Sequence, residues 1–169
     1  MSAALVLVAA ILLVAGGDDG SGPVVSNTGP HFSSATELAD LEGSLGHAVY
    51  WAGERPPAQI ESKQEADGSI YLRYLPPGTA AGDARVTFLT VGTYPVADAQ
   101  AAVQRAAAQA GVDVEAVASG GIVFPNPASE GSVYLAYPDS DLEIEVYDPS
   151  PGRAMELIRS GAIRPVGEG

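Results

Sequence analysis

The sequence predicts an α+β fold: an antiparallel sheet with two helices on one face, made by tandem duplication of a β-β-(β)-α unit and preceded by an apolar N-terminal helix of the membrane or signal type. Three observations carry this expectation. The first is an internal match. Gly68-Ser69-Ile70-Tyr71-Leu72-Arg73-Tyr74 and Gly131-Ser132-Val133-Tyr134-Leu135-Ala136-Tyr137 agree at five of seven positions, and Ile70 answers to Val133. The second is the order of elements after each match: a proline break, another strand, a proline-started helix and a glycine stop. The third is a strand of clean period two, in which Leu142, Ile144 and Val146 alternate with Asp141, Glu143 and Glu145. A single unit of this kind has one apolar sheet face and one helix, too little to bury alone, whereas two units can share a sheet.

Residues 1–17 are expected to form a transmembrane anchor or signal segment. The run AALVLVAAILLVAGG at residues 3–17 holds no charge. As a helix it would span roughly 22 Å at ~1.5 Å per residue, short of the ~30 Å hydrocarbon core and suited to a signal segment or a short anchor. Only Met1 and Ser2 precede it, so the basic start of a signal peptide is missing. With no cysteine in the chain a lipoprotein anchor is excluded. The first expectation is a single-pass membrane protein with its domain outside the cytoplasm; the second is secretion after cleavage. Residues 18–30, DDGSGPVVSNTGP, read as a flexible linker. Residues 31–169 then make one extracytoplasmic α+β domain, a usual size for a single core.

Within the domain, Ser34 and Glu37 form a capping box for a helix over 35–45, with Leu38, Leu41 and Leu45 facing the core and Gly46 as the stop. Short strands are expected at 47–51 and 58–65, and Asp67-Gly68 signals a turn. Further strands are expected at 69–75 and 85–91. The helix over 96–110 opens after Pro95, and its small stripe of Val96, Ala99, Val103, Ala106 and Ala110 suits close packing on a sheet. Strands are expected at 114–118, 122–124 and 132–137, then the alternating strand, a helix begun by Ser150-Pro151 with Ala154, Met155 and Ile158 inward, and an edge strand at 163–166.

The charge balance excludes several functions. Eight Lys and Arg stand against 21 Asp and Glu, for a formal net charge of −13. The basic residues are dispersed, so nucleic acid and anionic lipid surfaces are not expected partners. Zero cysteines remove thiol catalysis and cysteine-based metal sites. The two histidines, His31 and His47, lack metal-ligand spacing, and Asp139-Ser140-Asp141 with Glu143 falls short of a calcium loop. Nucleophile-elbow and phosphate-loop motifs are also missing. Glu143 and Glu145 share a strand face, read here as solvated rather than as a glycosidase pair. The sequence therefore assigns no catalytic, cofactor or metal residue.

The candidate binding residues are Tyr71, Arg73, Tyr134 and Trp51. Tyr71 and Tyr134 hold equivalent repeat positions and, with both helices on the other face, would stand in the open beside Arg73; Tyr and Arg are enriched at interfaces. A groove at the junction of the repeats is the first place expected to hold a ligand. The expected function is a non-catalytic binding domain of the cell envelope, tethered to the membrane by its N-terminal segment, with an envelope protein or polymer as partner. Two alternatives carry different signatures. A small-ligand sensor or carrier would show a cavity between helices and sheet. A hydrolase without a familiar motif would gather His47 with carboxylates such as Glu54.

Overall fold

The computed structural model describes residues 28–168. The apolar segment at 1–17 and linker residues 18–27 lie outside the described residues. Among the described residues no helix is long and apolar enough to cross a membrane. The chain runs β1 (Thr28–Phe32), α1 (Ala35–Leu45), β2 (Tyr50–Trp51), β3 (Gln59–Gln64), β4 (Ile70–Leu75), β5 (Thr90–Pro95), α2 (Ala99–Ala110), β6 (Glu115–Ala116), β7 (Ile122–Pro125), β8 (Ser132–Ala136), β9 (Leu142–Tyr147), α3 (Arg153–Arg159) and β10 (Arg164–Pro165). The class is α+β. Eight strands form one antiparallel sheet in the order β1-β3-β4-β5-β9-β8-β7-β6, and β2 pairs separately with β10.

Two meanders, β3-β4-β5 and β7-β8-β9, meet along β5 and β9. The register relates them. Tyr71 on β4 lies opposite Gly92, and Tyr134 on β8 lies opposite Glu145. Gly92 and Glu145 in turn face each other across the β5–β9 seam. The matched strands thus sit symmetrically about that one pair.

Strand alternation divides the sheet into two faces. One carries Ile60, Ile70, Leu72, Val91, Val123, Val133, Leu135, Ile144 and Val146, all in the main core with Leu38 of α1 and Ala154, Leu157 and Ile158 of α3. The other carries Phe124, Tyr134 and Ala136, which pack against Ala99, Val103 and Ala107 of α2. The two helices that share a face are therefore α1 and α3, and α2 lies on the opposite one. Side-chain chemistry explains the correction. On that opposite face the second meander is apolar, with Ala136 where the first has Arg73, so it needs an apolar cover. The spaced small residues of α2 supply one and let the helix approach closely.

The helix starts are local effects. Ser34 caps α1: its side chain accepts from the Glu37 N–H, and the Glu37 carboxylate accepts the Ser34 N–H at 2.7 Å. Ser34→Ala is expected to cost about 1 kcal/mol, read as a lower urea midpoint with an unchanged m-value. α2 begins at Ala99 rather than 96, because Asp98 takes a left-handed backbone (φ 51°) that no right-handed helix runs through; the N–H groups of Val96 and Asp98 donate to Asp141 and hold this start in place. Residues 85–89 of the strand expected over 85–91 are irregular, and the strand proper runs from Thr90 to Pro95. Phe88 explains this: it is buried between the guanidinium groups of Arg73 and Arg85, 5.5 and 5.1 Å from its ring centre. The last strand pairs with β2 instead of the main sheet, and Thr28–Pro30 of the expected linker belong to β1.

Candidate functional site

The seam between the meanders, on the α2 face, gathers the chemistry. Gly92 has no side chain, and the ring of Tyr94 lies over it: a Cβ at Gly92 would stand 2.6 Å from the Tyr94 hydroxyl. Lying flat, Tyr94 reaches across the seam and donates to Glu145 Oε2 at 2.8 Å. Ser132 donates to Glu145 Oε1 at 2.7 Å. Glu145 is only 5% exposed, yet both of its oxygens are satisfied. Tyr71 meets Tyr94 edge to face, with ring centres 5.6 Å apart.

Glu143 shares this face, between Tyr94 on β5 and Ala136 on β8. It is half-buried, and among the described residues it has neither a hydrogen-bond nor an ion-pair partner. Desolvation, then the neighbouring charge of Glu145, pushes its carboxyl up to about 7. Burial also raises Glu145, against the two hydroxyl donors that pull it down. Burial and the carboxylate of Glu145 push the Tyr94 and Tyr134 phenols upward, so both remain neutral donors. The site is thus a nearly dry carboxylate pair with one member fully held and the other lacking a counter-charge. Glu143 and Glu145 do not form the solvated strand face expected from sequence.

Protein-family models, curated proteins and solved structures give no match to this chain.

The sequence-predicted residues are only partly brought together. Tyr71 is half-buried at the edge of the seam. Tyr134 is 8% exposed, stacked on Phe124 at 5.4 Å and covered by α2. Arg73 holds Glu61, its Nε 2.7 Å from Oε1, and donates to the Asp83 carbonyl at 2.7 Å. Glu61 also accepts the Gly82 N–H, so segment 82–88 is fastened over this half of the face. Trp51 is a core residue, 5% exposed on the other side of the sheet. The expected exposed row of Tyr and Arg is therefore not formed, because α2 and segment 82–88 cover the face from its two ends. His47 bonds the neighbouring Ala48 carbonyl and Glu54 is exposed, and no bond joins them. Among the described residues no group of three His, Asp or Glu side chains could hold a metal.

Sequence reasoning missed Tyr94 and Ser132. Ser132 was within reach, since it lies in the matched heptad and its alternation puts it on the Tyr134 face. Tyr94 lay beyond the expected strand end at residue 91.

Proposed function

We propose that this chain is a binding domain of the cell envelope, membrane-tethered or secreted, that receives a cationic group of its partner at the β5–β9 seam. One observation carries the proposal: Glu143 is a half-buried carboxylate without a counter-charge, beside Glu145, whose oxygens are already taken. A lysine or arginine side chain entering there would supply the missing charge, and the faces of Tyr71 and Tyr94 would favour it further. The net charge of −13 would draw such a partner in. The apolar run at residues 3–17 supports the envelope location. The symmetric register around Gly92 and Glu145 supports the tandem duplication, with the seam as the junction of the two units.

The test uses a tri-lysine peptide and NMR shifts of the tyrosine rings. Binding is expected to move the Tyr71 and Tyr94 signals. It should strengthen as pH rises through about 7, where Glu143 ionises. Glu143→Gln should weaken it about tenfold, roughly 1.4 kcal/mol. Shifts that map elsewhere, or an affinity indifferent to this substitution, would exclude the seam. Fractionation of cells expressing the full chain tests the location; recovery from the soluble interior would refute it.

A further inference from the structure

Two N–H donors in one short segment are closed to solvent and have no acceptor among the described residues. Trp51 is 5% exposed, and its indole Nε1 is without a hydrogen-bond partner. Four residues on, Arg55 is half-buried, and its Nε is shut away in the same condition. Buried N–H groups are nearly always bonded, and leaving one unmade costs about 1–3 kcal/mol. A third donor lies against this segment. The Tyr74 hydroxyl accepts the Ala52 N–H at 2.7 Å, and its own proton has no acceptor among the described residues. Burial pushes this phenol up to about 12, against the Ala52 bond and the nearby charge of Arg55, so it stays protonated.

Unpaired positive charge gathers at the same place. Among the described residues five of the eight Lys and Arg side chains hold an ion pair, and Arg55, Arg105 and Arg164 do not. Arg105 belongs to α2, on the far face of the sheet. Arg164 is the cross-strand partner of Trp51 in the β2–β10 ribbon, so the two side chains leave it on one side. Arg73 makes the contrast: its Nε sits 2.7 Å from the Glu61 carboxylate. Arg55 and Arg164 stay unpaired beside Trp51 although Asp and Glu outnumber Lys and Arg by 21 to 8.

We propose that this corner binds the carboxylate of a small aliphatic acid. A planar carboxylate matches the guanidinium fork of Arg55 and can accept from Trp51 Nε1 and the Tyr74 hydroxyl. Ala52 and Ala58, on either side of Arg55 and packed on the core, give the aliphatic body an apolar wall. A phosphate dianion suits the corner less, because the net charge of −13 opposes each added negative charge. Both orphan nitrogens are closed to solvent, so the acid enters as loop 53–57, which has neither strand nor helix, moves outward. The seam plays no part in this site.

The experiment follows the emission of Trp51, the sole tryptophan, as the full chain is titrated with sodium butyrate. Sodium chloride at matched ionic strength and butyramide are the controls. A saturable change with butyrate alone is expected. Arg55→Gln should weaken binding at least tenfold without lowering the melting temperature, since the group removed has no partner. Arg55→Lys, which keeps the charge and loses the fork, should weaken it severalfold. Arg105→Gln should leave the affinity unchanged. No saturable change, an equal response to butyramide, or an unaltered Arg55→Gln variant would each overturn the proposal. Equal weakening by Arg105→Gln would overturn it too, by reducing the effect to overall charge. N-acetyl-trialanine binding more tightly than butyrate would replace the free acid with a peptide chain end.

Discussion

Glu143→Gln is expected to stabilise the domain by about 2–3 kcal/mol at pH 8 and to change almost nothing at pH 4. The folded carboxyl is raised to about 7 from 4.5. Below 4.5 it is protonated in both the folded and the unfolded chain, and burial costs no charge. As pH climbs, the unfolded chain ionises first while the folded chain must hold the proton or bury a charge. Stability is lost through this window and levels off above about 7. The interval at ~1.4 kcal/mol per pH unit gives about 3 kcal/mol, lowered somewhat because water reaches part of the group. Glutamine keeps the shape and removes the charge. Urea unfolding of both proteins from pH 4 to 8 checks this: the two stability curves should coincide at the acid end and separate as pH rises. Parallel curves would show that Glu143 is not the group responsible.

Gly92→Ala is expected to destabilise the domain by about 2–4 kcal/mol. The new methyl would meet the hydroxyl oxygen and two ring carbons of Tyr94 at 2.6–3.0 Å. The ring can escape only by leaving Glu145, which then keeps its burial and loses a donor. Steric repacking and an under-satisfied buried carboxylate thus add. The cause is separable by a double-mutant cycle with Tyr94→Ala, measured by urea unfolding. In that background the methyl has room, and the penalty at position 92 should shrink below about 1 kcal/mol. An undiminished penalty would assign the effect to the backbone instead.

Much of the architecture was legible because it derives from period and capping. The alternation of 141–146 gave both the strand and the sides of its residues, and Ser34 with Glu37 marked the start of α1. The internal match placed β4 and β8 in related surroundings. The side of the sheet chosen by α2 was harder to read, because it depends on comparing two faces. Arg73 against Ala136 is the local sign: one face needs ion pairs, the other an apolar lid. The seam was hardest. Glu145 reads as a solvent residue until a tyrosine from a neighbouring strand and a serine from another converge on it. Their meeting depends on Gly92, whose role is to be empty.

The pairing of Gly92 with Glu145 has a consequence for how the two halves can vary. Each occupies the corresponding place in its own meander, and each is the other's neighbour. Identical residues there would confront themselves: two glutamates would crowd two charges into a dry space, and two glycines would leave a void with no acceptor for Tyr94. Perfect internal symmetry is therefore unstable at its own centre, and the halves must differ at that point even where they agree elsewhere.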